Sequence, residues 1–101
     1  VSSILNERIF AWDDEKFEEN IKKHGITFEE AATVFEDINA LIISDPDHSE
    51  DEERFIIIGF SERARLLIVC HCYRENDTVI RIISARKAHR REQRDYGGNK
   101  K

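Results

Sequence analysis

Three apolar segments follow one another in the second half of the chain with almost nothing between them. They span residues 54–60, 65–74 and 78–85, and are joined by Ser61-Glu62-Arg63-Ala64 and Glu75-Asn76-Asp77. Connections of three or four polar residues are too short for a crossover, so these strands must run antiparallel to their neighbours as a meander. Their middles are rich in Ile and Val at both parities, which requires cover on both faces. The chain therefore has to supply helices that pack on a sheet.

The first half supplies two. Ile9-Phe10-Ala11-Trp12 reads as a short first strand, and Asp13 then stands as a helix N-cap. Asp14 and Glu15 fall in the first turn, Lys22, Lys23 and His24 in the last, and Gly25 just beyond. Acid first, base last and glycine at the stop is the order that the helix dipole and a left-handed C-terminal cap favour. Phe17 and Ile21 give this helix a narrow apolar stripe. Thr27-Phe28-Glu29-Glu30 reads as a capping box, with Thr27 accepting from the N3 amide and Glu30 reaching back; Ala31, Ala32, Val34 and Phe35 form the buried face that follows. Residues 40–44 make a second strand, ended by Asp45-Pro46-Asp47, and residues 45–53 a polar, acidic loop. A last helix over 87–96 ends at Gly97-Gly98, leaving 97–101 as a flexible tail. The expected order is β-α-α-β-β-β-β-α, a single α+β domain over 1–101 with helices packed on a mainly antiparallel sheet.

Charge is segregated along the chain. Residues 1–53 hold 4 Lys/Arg against 16 Asp/Glu, and residues 54–101 hold 12 against 5, which together give the net −5. So steep a division makes faces of opposite sign, one of which can hold a polyanion even though the pI is near 5.4. At 101 residues there is room for one core and no second module. No apolar run approaches the roughly 20 residues of a membrane span, and Val1-Ser2-Ser3-Ile4 lacks the regions of a signal peptide. A cytoplasmic protein is the expectation. Cys70 and Cys72 sit two apart on one strand, a poor geometry for a mutual disulfide, and read as small buried hydrophobes. His71 between them should face the other way, so Cys-His-Cys does not make a tetrahedral metal site.

Three stretches, in this order, resemble the BrnT family of type II toxins within the RelE-like ribonucleases. The first is Phe10-Ala11-Trp12-Asp13 with Lys16, Asn20, Lys23-His24-Gly25 and Phe28-Glu29-Glu30-Ala31. The second is Asp47-His48-Ser49 with Glu53-Arg54-Phe55 and Ile58-Gly59. The third is Arg81-Ile82-Ile83-Ser84-Ala85-Arg86-Lys87-Ala88 with Arg91-Glu92 and Tyr96. The resemblance implies a RelE-like fold and a toxin that cleaves RNA and arrests translation. It also implies a BrnA-like ribbon-helix-helix antitoxin, joined with the toxin in a 2:2 heterotetramer that reaches operator DNA only through the antitoxin.

The residues offer an independent chemistry. Cleaving RNA without a metal or other cofactor needs a base for the ribose 2′-OH, cations for the charge that grows on phosphorus, and an acid for the leaving 5′-oxygen. Guanidinium suits the second task because its planar fork matches phosphate oxygens in pairs. Arg54, at the start of one strand, and Arg86, at the end of another, occupy places like those of the phosphate-binding arginines of RelE-like folds. His24 titrates near neutrality and suits base or acid, though the dipole alone would favour it at a helix end. Lys23 is either a stabilising cation or a second dipole-matched residue. Glu92, flanked by Arg90, Arg91 and Arg94, is either a base or a neutralising charge. Arg81, Lys87 and Arg91 are candidates to bind the RNA backbone, with His89, Tyr73 and Tyr96 as weaker contributors. The acidic loop around His48 offers hard oxygen ligands, yet nearly all from one segment, so a divalent metal is not expected there. A non-catalytic module that binds nucleic acid or protein through the same basic helix is the alternative.

Overall fold

The computed structural model describes residues 2–5, 7–45, 47 and 52–98. Among the described residues, six strands form one sheet: β1 (Ser2–Leu5), β2 (Arg8–Ala11), β3 (Leu41–Ser44), β4 (Phe55–Phe60), β5 (Leu66–Arg74) and β6 (Val79–Lys87), in the spatial order β1-β2-β6-β5-β4-β3. The meander β4-β5-β6 is antiparallel as its short connections require, and β3 adds to β4 with Ile42 opposite Ile57. The parallel pair is β2 with β6, where Ile9 stands opposite Val79 and Ala11 opposite Arg81. The helices α1 (Asp14–His24) and α2 (Phe28–Thr33), then a 3-10 turn (Val34–Glu36), cover one face, and α3 (Arg90–Gly98) covers part of the other. An α+β domain on a mainly antiparallel sheet is what the sequence called for.

Two cores result. On the α1/α2 side Phe10, Trp12, Ile26, Phe28, Val34, Leu67, Val69 and Ile82 are buried together. On the opposite side Ile58 and Ile68 pack beneath Tyr96 and Ala88. His71 belongs wholly to the first: it is 0% exposed, its ring meets Phe35 edge-on at 4.9 Å, and its Nε2 lies 3.3 Å from the Tyr73 hydroxyl. Cys72 is buried and Cys70 half-buried, both as free thiols.

The caps follow the sequence in part. The Asp13 carboxylate accepts from the Lys16 amide at 3.0 Å, and Gly25 closes α1 with φ +70°. Thr27 accepts from the Glu30 amide at 3.1 Å. The Glu30 carboxylate, however, turns inward: it takes the Arg65 guanidinium and, at 2.7 Å, the Ser61 hydroxyl, tying α2 to the β4–β5 turn. A buried carboxylate gains more from a guanidinium than from a single amide, and the other half of the expected capping box gives way.

Other differences lie at the ends. Residues 2–5, expected to lie before the first strand, form β1 at the edge of the sheet. β6 continues to Lys87 because it stays paired to β5 as far as Leu67, so α3 begins at Arg90 rather than residue 87. The helix also takes in Gly97 and Gly98, the first two residues of the expected tail. Residues 99–101 of that tail, and 46 and 48–51 of the acidic loop, lie outside the described residues.

The contact on which the layout turns involves Asn20, a buried residue of α1. β2 pairs with β6 only as far as Arg81, which leaves the next part of β6 without a strand on that side. There the Asn20 amide stands in for one: its Nδ2 donates to the Ala85 carbonyl at 2.8 Å and its Oδ1 accepts from the Ala85 amide at 3.0 Å. The same Nδ2 donates to the Ile26 carbonyl at 2.9 Å, fixing the turn after α1.

Asn20→Ala should lower stability by about 3 kcal/mol in urea unfolding, since it leaves buried backbone groups without their partner. Asn20→Asp should be no better, because it puts a carboxylate oxygen against two carbonyls. A second expectation concerns His71, whose pKa burial pushes down from its ordinary value. The unfolded chain then takes up the proton more readily than the folded one. Stability should be constant above the unfolded value near 6.5 and fall as pH drops through it, levelling at the folded value; His71→Phe should flatten that part of the pH–stability curve.

Candidate active site

The rim of the sheet carrying the site is shaped by one irregularity. Between Cys70 and His71 the β5–β6 register shifts: Cys70 pairs with Ser84 but His71 with Ile82, leaving Ile83 as an extra residue. A bulge of this kind bends its strand and re-aims the side chains that follow. It lets Arg81, Ser84 and Arg86, opposite Cys72, Cys70 and Ile68, share one face of the sheet.

Two cavities meet at this bulge, each walled by Ile83 and Ser84. One, of about 230 Å³, is lined by Arg54, Arg86, Asp45, Ile56 and Cys70. The other, of about 290 Å³, is lined by Lys16, Lys23, His24 and Asn20 of α1. Arg54 and Arg86, 32 positions apart in sequence, thus share a pocket. Lys23 and His24 reach its edge because Asn20 holds α1 against β6.

Arg86 is held in a defined orientation. Its two terminal nitrogens donate to the Glu92 carboxylate at 2.9 and 2.8 Å, one to each oxygen, and one also meets the Lys87 carbonyl at 3.2 Å. Glu92 accepts at the same time from the His89 amide at 2.7 Å, which caps the start of α3. The Arg86 guanidinium holds the Glu92 carboxyl below its ordinary range, with the His89 amide adding to the effect. Glu92 pushes the Arg86 pKa up in return. Glu92 is therefore an anion that grips its neighbour, and a weak proton acceptor.

His24 has the opposite environment. Partial burial pushes its pKa below the ordinary imidazole value, with the positive charges of Lys23 and Arg86 adding to the shift. The ring is mostly neutral at pH 7, the form that can accept a proton.

The remaining candidates divide. Arg81 lies on the Arg86 face but lines neither cavity. Lys87 is exposed and pairs with Leu67, so strand alternation directs it to the opposite face. Arg91 is exposed on α3, and His89 is exposed just before it. Tyr96 is buried: its hydroxyl donates to Asp37 at 2.6 Å, and burial and that carboxylate push its pKa up to about 12. Tyr73 packs on the far side of the sheet with His71 and Phe55. Sequence reading did not single out Asn20, Ser84 or Cys70 as parts of the site. Asn20 offered one signal, a polar residue on the apolar side of α1, beside Phe17. Among the described residues, no group of three His, Cys, Asp or Glu side chains is placed to hold a metal ion.

A small α+β domain with one arginine from β6 and another from the residue before β4 in one pocket, and the His24 imidazole at its edge, is a fold and site suited to a phosphodiester. Residues 12–92 match the family model described as the ribonuclease toxin BrnT of type II toxin-antitoxin systems. The chain belongs to this BrnT family of ribonuclease toxins. Among solved structures it is similar to the Brucella abortus ribonuclease toxin BrnT, known from a 1.1 Å crystal structure, with a TM-score of 0.63 and 23% identity over 80% of this chain and 96% of that one. That likeness bears on the fold. No curated protein matches the chain in sequence.

The electrostatic coupling is directly measurable. Replacing Arg86 by Ala removes a cation near His24, so the His24 pKa should rise toward its ordinary value in an NMR titration of the imidazole C–H resonances. An unchanged titration would separate the two residues.

Proposed function

We propose that this chain is a RelE-like endoribonuclease that cleaves RNA without a metal, by attack of a ribose 2′-oxygen on the adjacent phosphorus. The observation that carries the reading is the shared pocket of Arg54 and Arg86, with His24 and Lys23 across the β6 bulge. Neutral His24 accepts the 2′-OH proton as the oxygen bonds to phosphorus. As the bond to the 5′-oxygen breaks, that oxygen takes a proton from solvent water, and the His24 imidazolium returns its proton to the hydroxide left behind. The products are a 2′,3′-cyclic phosphate and a 5′-hydroxyl end.

Arg54 and Arg86 hold the non-bridging oxygens, where charge accumulates, and Lys23 adds a third cation. Glu92 positions Arg86 rather than moving a proton, which fits its depressed pKa. Arg81 and Arg91 extend the cationic surface along which the RNA backbone lies, while Lys87 meets only strands that wrap the rim. Cleavage of RNA in the cytoplasm arrests translation. A BrnA-like ribbon-helix-helix antitoxin neutralises the toxin in a 2:2 complex and carries it to operator DNA.

Arg86→Ala should lower the rate of RNA cleavage by at least about a hundredfold, the usual effect of removing one donor from a developing oxyanion. It should also abolish growth arrest on expression while leaving the thermal unfolding midpoint close to that of the parent. Cleavage by the purified wild type should persist in EDTA. Activity lost to the chelator and restored by a divalent ion would overturn the metal-independent mechanism, and salt-sensitive RNA binding with no cleavage would favour a binding module.

A further inference from the structure

The face of the sheet opposite the arginine pocket is not fully covered. α1 and α2 lie over β6 and the 3-10 turn over β4, and beyond Phe35 two cavities open side by side. One is about 420 Å³ and the other about 380 Å³, and Tyr73 and Asp77 wall both. Together they make a groove across the sheet, with an apolar floor of Phe55, Tyr73, Phe35 and Ile42. Ile42, on the edge strand β3, is 48% exposed, and Ile38 just before that strand is 95% exposed.

Among the described residues the rim is mainly acidic: Glu52, Glu53, Asp77, Glu7 and Asp37 line the two cavities against a single cation, Arg8. Arg8 is itself neutralised by Glu36 at 2.9 Å. Glu52 is paired with Arg74 at 2.9 Å, which leaves the excess of negative charge at Glu53, Asp77 and Glu7. Such a rim repels a phosphate backbone, so the groove does not continue the RNA surface. Apolar floor and acidic rim together fit a segment with alternating apolar and basic side chains, and the aromatic rings of Tyr73 and Phe55 add faces on which a guanidinium can lie.

We propose that this groove is the docking site for a basic, amphipathic segment of the antitoxin. The proposal rests on the toxin reading for the existence of that partner. Docked there, the segment buries Ile42 and Phe35 under apolar side chains and sets its Lys or Arg residues against Glu53 and Asp77. It does so on the face away from Arg86. The partner is thus anchored at a place separate from the catalytic pocket, and grip and inhibition become separable by mutation.

The test uses the full chain and the protein encoded by the reading frame adjacent to its own, with affinity read by calorimetry at low and high salt. Glu53→Lys combined with Asp77→Asn should weaken binding by about tenfold or more at low salt and flatten its salt dependence. Asparagine is chosen because residue 77 has φ +68°, which Asn tolerates. Ile42→Ser, which alters a half-exposed side chain of the groove floor, should weaken binding at both salt concentrations. Arg86→Ala should bind as the wild type does. All groove variants should cut RNA at the wild-type rate. Unchanged affinity in both groove variants would overturn the proposal, as would a dimer of this chain that the variants dissociate. Should the wild type cut no RNA while the affinities follow the expected pattern, the docking site stands and the nuclease reading falls.

Discussion

The arrangement of this molecule depends on one side-chain amide acting as a piece of backbone. Where β2 ends, β6 would expose peptide groups along its flank, and an unsatisfied buried amide or carbonyl is costly. Asn20 meets both groups of Ala85 and so joins a helix to a strand edge as another strand would. That contact sets the height of α1 along β6, and with it the place of Lys23 and His24, one turn further on. The catalytic proposal needs these groups beside Ile83 and Ser84, and the helix arrives there because an amide fits a vacant strand position.

A second constraint gathers at Asp37. Its carboxylate accepts from the Phe60 amide at 2.8 Å and the Asn39 amide at 2.9 Å as well as from Tyr96, so one residue binds the end of β4, the turn before β3 and α3. The backbone of Gly59 passes close by: a Cβ there would stand 3.0 Å from Val34 and Ala40. The 3-10 turn can lie this near the sheet only because residue 59 has no side chain. Glu30 with Arg65 and Ser61 does a similar task for α2. Polar links of this kind fix the elements at specific points over cores that would tolerate sliding.

Much of this was legible in the chain. The meander followed from short connections and β-branched content, and both N-terminal helix starts followed from Asp13 and Thr27. The fate of Glu30 was not legible, since its preference for Arg65 depends on a partner 35 residues away that only the fold brings near. The same holds for β1, whose four residues become a strand only because β2 offers an edge. At the site, Arg54 and Arg86 were recognisable by type and position, but their common pocket needs β4, β5 and β6 in register. Glu92 could be seen as an anion among arginines; that both its oxygens hold one guanidinium is a consequence of how β6 leads into α3.

That last junction has an evolutionary side. Glu92 simultaneously seals the first turn of a helix and clasps Arg86, so the interval between them works as a ruler of six residues. An insertion or deletion inside it would break the helix start or release the guanidinium. Relatives that differ in length should therefore carry the difference elsewhere, with the stretch between β3 and β4 as the natural outlet, and keep this interval constant even where little else in the chain is shared.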